Sequence, residues 1–303
     1  MDVLSPKHLQ PLHPKRDFCS PKPKFTFVHM LMAGSCGQLS QRGPAGEVAV
    51  NLNEHHGRPA PSGWSRTQEL LALPMQAERL PFSVRVVRSE ADLHKAVHVR
   101  HSAYARHVPA FAESLRAPES YDTMDGTVVL LAESKLDGTP LGTMRIQTNA
   151  FAPLPLEHSL TLPPKMRHSP LAEATRLGVG EPTQGRAVKT VLFKAFFLYC
   201  QQQGIDWMVI TARTPIDRQY ERLLFTDVDP ALGYVPLAHV GNLPHRIMCL
   251  EVSGAEQHWA ELQHPLFQFV FRTDHVDIDL GQAPARNGLK THALAAPLPR
   301  MQM

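Results

Sequence analysis

The stretch LAEATRLGVGEPTQGRAVKTVLFKAFFLYCQQQG, residues 171–204, holds the signal from which the fold is read. Its first nine residues are an apolar run of strand character that carries two opposite charges, Glu173 and Arg176. Core-facing strands rarely hold such a pair, because a buried charge must be matched. A regular strand places positions i and i+3 on opposite faces. The two charges meet one site only if the strand bulges near Ala174–Thr175, which would also release a backbone N–H from the ladder. Otherwise one charge pairs in the core and the other faces solvent. The turn GEPTQGRAVK then opens a strongly apolar helix ending at Gly204. The free N–H groups of such a helix start attract phosphate, and Arg186 and Lys189 in its first turn add positive charge. A solvated first turn is the plainer alternative.

Outward from this stretch the elements alternate. FSVRVVRS (82–89) alternates as a half-buried strand does, and SEADLHKAVHVRHSAYARHV (89–108) opens with a Ser N-cap and two acids, as a helix does. TVVLLAES and LGTMRIQT are strands joined by KLDGTP, with its Asp-Gly turn. DWMVITAR reads as a buried strand, PIDRQYERLLF as a short helix opened by Pro, and LGYVPLAHV with RIMCLEV as a closing pair of strands. The order β-α-β-β-β-α-β-α-β-β predicts an α/β (α+β) fold: a mixed sheet with helices on both faces.

Composition sets limits. The chain has 303 residues, 43% of them hydrophobic, and a formal net charge of +3 with no clustered basic run, so a nucleic-acid partner is not expected. Four cysteines, Cys19, Cys36, Cys200 and Cys249, lack C-x-x-C spacing, which argues against a metal site or a disulfide framework and for a reducing, cytoplasmic compartment. Cys200 reads as core packing. No run is long enough to span a bilayer. FTFVHMLMAGSC (25–36) loosely resembles an export signal, but its apolar part is short and contains His29. NEHHG (53–57) lacks the further ligands a metal site needs. Residues 1–78, rich in Pro, Gly, Ser and His, read as a disordered or loosely attached extension, 79–280 as the folded domain and 281–303 as a tail; Met75 offers an alternative start.

Further charges stand where apolar residues are expected. Arg100 recurs with Leu93, Val97 and Tyr104 on one helix face. Asp122 and Asp125 lie three apart in SYDTMDGT, and Arg145 sits mid-strand in LGTMRIQT. Each alone has a bland explanation: a snorkelling Arg, an Asx turn, a salt bridge.

Together, R-x-x-x-Y (Arg100, Tyr104), D-x-x-D (Asp122, Asp125), GTMRI (Arg145) and EATRLGV (Glu173, Arg176) resemble the acyl-homoserine-lactone (autoinducer) synthases. The pattern is closer still to their relatives, the N-acyl amino acid synthases, including the exosortase-associated type. The resemblance covers roughly 82–252. It implies the N-acetyltransferase-like fold, with a mostly antiparallel sheet and a splayed strand pair. The lactone synthases usually carry a Trp shortly after the helix Arg and aromatic residue. YARHVPAFAESL (104–115) has none, which favours an amino acid over S-adenosylmethionine as acceptor.

The resemblance implies an N-acyltransferase that moves a fatty acyl group from acyl carrier protein or acyl-CoA to a small amine, with no cofactor or metal beyond that co-substrate. A lipid product would bring it to the membrane periphery. Glu173 is the first choice for the base that deprotonates the amine, Asp125 the second, with Asp122 and Arg176 beside them. Arg100, Tyr104 and Arg145 would bind the acceptor or hold the acids. Arg186, Lys189, Val179 and Gly185 would hold the donor, and Phe193, Phe197 and Trp207 would line the acyl channel. Two other readings are a lactone-type synthase using S-adenosylmethionine and a non-catalytic acyl-binding or scaffold module.

Overall fold

The charged strand lies at the centre of a nine-stranded sheet. The structure is a computed structural model that describes residues 65–180 and 182–281. The stretches 25–36 and 53–57, with Cys19 and Cys36, lie outside these residues. The elements in chain order are α1 (Arg66–Leu71), β1 (Gln76–Glu78), β2 (Phe82–Val86), α2 (Glu90–Ala105), α3 (Pro109–Ala112), β3 (Thr127–Ser134), β4 (Pro140–Thr148), β5 (Leu171–Val179), α4 (Pro182–Gln202), β6 (Trp207–Ala212), α5 (Asp217–Glu221), β7 (Thr226–Asp227), β8 (Val235–Leu237), β9 (Leu243–Glu251), α6 (Ala255–Glu261), α7 (Phe267–Phe271), β10 (Thr273–His275) and β11 (Ile278–Asp279). Short 3-10 turns at Ser120–Thr123, Pro155–His158 and Ala238–Val240 matter for the site.

The strand order is β11-β2-β3-β4-β5-β6-β9-β7, with β8 paired to β9. β11–β2 and β5–β6 are parallel and the other pairs antiparallel, so the sheet is mixed and mostly antiparallel, as expected. Helix α2 covers one face. Its buried residues Leu93, Ala96 and Val97 pack on Val129 and Leu131 of β3. Ser89 caps it by accepting from the Asp92 amide at 3.1 Å. Helix α4 covers the other face, where a Cβ added to Gly142 of β4 would sit 2.5 Å from Val188 and 3.3 Å from Leu192. It ends as its sequence predicts: Gly204 takes φ +63°, which only glycine adopts without strain.

Two features position the site. Pairing between β5 and β6 runs from Leu171–Trp207 to Ala174–Ile210 and stops, although β5 continues to Val179. The two parallel strands therefore part beyond Ala174. At the same place β5 shifts register against β4, between the partners of Arg145 and Thr143, and Arg176 takes φ +55°. This is the bulge that the i, i+3 charges require, centred one residue beyond the expected position. It brings Arg176 to the α2 side of the sheet, the side that Glu173 and Thr175 already face. Gly178 then lets α2 approach: a Cβ there would be 3.1 Å from the Arg100 backbone.

Regular structure is present upstream of residue 79, where the sequence reading starts the folded domain. Residues 66–78, assigned by sequence to the loose extension, form α1 and β1. Ser65 and Gln68 close a capping box, and β1 pairs in parallel with β10. Arg272 donates to the Leu71 carbonyl at 2.7 Å. Helices α6 and α7, to which the sequence reading assigned no element, form the apolar layer over α4.

Candidate active site

A buried ion network stands against the split. Arg100 makes a two-pronged contact with Asp122, at 2.9 and 2.8 Å, from opposite sides of the crevice between α2 and the Ser120–Thr123 turn. Arg176 holds Glu119 in the same way, at 2.6 and 2.6 Å. Arg145 lies between, reaching Glu119 at 3.1 Å, Asp122 at 3.3 Å and the Thr175 hydroxyl at 3.1 Å. Arg100 adds a 3.2 Å bond to Glu119, and Asp122 accepts from the Glu119 amide at 2.8 Å. Burial alone would raise both acids, but the arginines hold Glu119 and Asp122 below the usual carboxylate range. The left-handed backbone at Arg176 costs about 1–2 kcal/mol, and its paired bonds to Glu119 help hold it there.

Glu173 stands apart from this network. It is fully buried on β5, and its only hydrogen bond among the described residues comes from the Leu156 amide, at 3.2 Å to Oε2. Its Oε1 is buried and unbonded. His239 Nε2 lies 3.6 Å from that oxygen. Burial pushes the carboxyl up to about 8, against the pull of the Leu156 amide, Arg145 and Arg176.

The remaining predicted residues divide. Tyr104 lies at the rim, its ring 5.9 Å from Phe111, and Phe111 lies 5.2 Å beneath the Arg176 guanidinium. Phe111 thus supplies an aromatic wall in the segment that lacks Trp. Asp125 does not join the acids. It is exposed, three residues past Asp122, because the chain leaves its 3-10 turn at Thr123 and runs outward to enter β3. Its nomination as alternate base is corrected. Of the donor residues, Arg186 is exposed in the first turns of α4, and Lys189 donates to Gln219 of α5 at 2.7 Å. Gly185 is buried against Val179, where a Cβ would come within 3.2 Å.

Phe193, Phe197 and Trp207 are not at the split, which corrects the expected acyl lining. Phe193 stacks on Trp259 and meets Phe225 edge-on, while Phe197 meets Phe271 edge-on. Both look away from Glu173, into the α6–α7 layer. Trp207 begins β6 at its paired end, packed with Leu171 and Val209, with the Lys165 ammonium 4.9 Å over its ring. A cavity of about 560 Å³, lined by Thr127, Thr148, Phe151, Tyr199 and Gln203 among others, also lies at that end and takes no part in the network.

Sequence reasoning missed Glu119, Arg106 and His239. Glu119 had a signal: it precedes Asp122 by three residues, so both acids lie on one turn. Arg106 donates to the Val179 and Gly180 carbonyls, fixing the chain between β5 and α4. His239 had none, because its distance in sequence from Glu173 hides their contact. Among the described residues, no three His, Cys, Asp or Glu side chains cluster as metal ligands would.

A family model described as N-acyl amino acid synthase FeeM matches residues 95–240, which contain every member of the network, Glu173 and His239. Over those residues the chain is similar to that family. It is an N-acyltransferase. Among solved structures, FeeM, an N-acyl amino acid synthase from uncultured soil microbes, is 18% identical, covers 62% of this chain and 96% of its own, and has a TM-score of 0.45. The CoA-dependent acyl-homoserine lactone synthase BjaI is 17% identical over 64% of this chain and 93% of its own, with a TM-score of 0.42. A putative GNAT-family acetyltransferase from Desulfovibrio desulfuricans is 15% identical over 56% and 99%, with a TM-score of 0.40. No protein of curated function matches the chain by sequence.

Proposed function

We propose that this N-acyltransferase moves a fatty acyl group from the thioester of acyl carrier protein or coenzyme A to the α-amine of an amino acid, with Glu173 as the base. One observation carries the reading. Beside Glu173, three buried guanidiniums, Arg100, Arg145 and Arg176, meet two carboxylates among the described residues, Glu119 and Asp122. One positive charge is left over at the strand split, with unspent donors on Arg145 Nη2 and Arg176 Nη1. An acceptor carboxylate answers that charge and would place the α-amine toward Glu173.

An α-ammonium has an ordinary pKa of roughly 8, so an unperturbed carboxylate is too weak to deprotonate it efficiently. A carboxyl held at about 8 matches it, which is the condition for an effective base near neutral pH. The transfer balances without a cofactor: the ammonium loses two protons, one goes to the departing thiolate and one to solvent. Beyond Ala174 the β6-side edge of β5 has no partner strand among the described residues, which would leave amides there for the oxyanion of the tetrahedral intermediate.

Mass spectrometry of lipid extracts from cells expressing the protein tests the reading. N-acyl amino acids support it; N-acyl lactones would overturn the acceptor assignment, and neither product would point to a binding module.

The donor is expected at the start of α4, 21 residues long. Its dipole and Arg186 suit the phosphate of a pantetheine arm. Arg186→Glu is expected to raise KM for an acyl carrier protein donor with kcat less affected, and that KM should rise with salt. A KM moved by neither change places donor docking elsewhere.

A further inference from the structure

His239 is a neighbour of Glu173 that the reading above leaves without a task. It stands on the 3-10 turn Ala238–Val240, between β8 and β9. Its side chain is 5% exposed, yet neither ring nitrogen has a hydrogen bond among the described residues. A buried imidazole with both nitrogens unspent is costly, since each lost bond leaves a desolvated polar atom. Glu173 Oε1 is in the same condition 3.6 Å away. That gap is too narrow for another atom between them and closes to a hydrogen bond with a small rotation of either side chain. The turn is held from two sides: Arg176 donates to the His239 carbonyl at 2.9 Å, and the Ala238 amide donates to the Ser159 hydroxyl at 3.1 Å.

We propose that His239 is a positioning residue for the base: its Nε2 accepts a hydrogen bond from the Glu173 carboxyl once that carboxyl has taken the acceptor's proton. A base is strengthened by whatever stabilises its protonated form. The imidazole must be neutral to accept, and its surroundings keep it so. Burial, then Arg176, His245 and Arg145, push it down to about 4, and Glu119 opposes them weakly. Around Glu173 the other charged groups are Arg145 and Arg176, which favour the carboxylate, and Glu157, which disfavours it. His239 adds a neutral acceptor on the side of the protonated form. No bond other than O–H and N–H changes, and the proton leaves Glu173 for solvent after turnover.

The inference rests on Glu173 being the base, and the experiment separates the two. The pH dependence of kcat is measured for wild type, Glu173→Gln, His239→Ala and His239→Gln. In parallel, the infrared carboxyl stretch of Glu173 is titrated in the absence of substrate, as the difference between each Glu173-bearing protein and Glu173→Gln. Wild type should switch on as pH rises through about 8. His239→Ala should shift that midpoint, in both readouts, down by about one unit or more. His239→Gln, whose amide oxygen still accepts, should keep the midpoint near the wild-type position. An unmoved midpoint in His239→Ala overturns the role of His239 and leaves Glu173 standing. Wild-type rates in Glu173→Gln overturn the base itself. If His239→Ala does not fold, a downward shift in a folded His239→Leu supports the role and an unmoved midpoint there overturns it.

Discussion

Glu173→Gln is expected to fold and to lose about 100-fold or more in kcat, the usual effect of removing a general base. The side chain keeps its shape, and its amide oxygen still accepts from the Leu156 amide, so the loss falls on proton transfer. The same variant carries a stability signature. Burial raises Glu173 from its ordinary 4.5 to about 8. Between those values the folded protein binds a proton that the unfolded chain has released, so folding stability falls as pH rises through the interval. The stabilising contribution is complete below about 4.5 and gone above about 8. Glutamine does not titrate. Glu173→Gln should therefore match wild type in Tm near pH 4.5 and exceed it above pH 8. The expected gain is on the order of a few kcal/mol, since one unit corresponds to about 1.4 kcal/mol. Calorimetry at the two pH values, with single-turnover kinetics, checks both halves. A folded Glu173→Gln protein with near-normal turnover would end the assignment.

Asp122→Ala is expected to destabilise the fold by about 3–5 kcal/mol, the cost of breaking a buried ion pair from one side. The variant leaves the fully buried Arg100 without its two-pronged partner, removes a contact of Arg145 and frees the Glu119 amide. Asp125→Ala is the contrast. From an exposed position outside the network it should stay within about 0.5 kcal/mol of wild type and keep its activity. Denaturant melts of the two variants decide the matter. Equal stabilities, or a loss of activity in Asp125→Ala, would restore the two aspartates to a common role.

The network also shows what a sequence motif can conceal. Arg100, Asp122, Arg145 and Arg176 are charges out of place in apolar patterns, and that anomaly made them legible one by one. Glu119 makes more of the network's ion pairs than any of them, with bonds to Arg100, Arg145 and Arg176. It looked ordinary because its own segment is polar. Asp125 shares a spacing with Asp122 but not a direction, since the 3-10 turn ends between them. Phe193 and Phe197 were aromatic and near the strand pair in sequence, but a helix presents its faces to whatever packs there. The covering layer comes from α6 and α7, more than 50 residues further along.

The sequence by itself determined the order of the main elements from β2 to β9, the mixed sheet, the cap of α2, the end of α4 and the condition that β5 must bulge if its two charges are to meet one site. These follow from periodicity, capping and alternation, which are local and act over a few residues. Only the tertiary structure decided where β5 leaves β6, which acid faces the arginines and which side of α4 is core. It alone brought His239 to Glu173. These depend on contacts between residues far apart in the chain, and on burial, which raises the Glu173 carboxyl to about 8 by removing it from water.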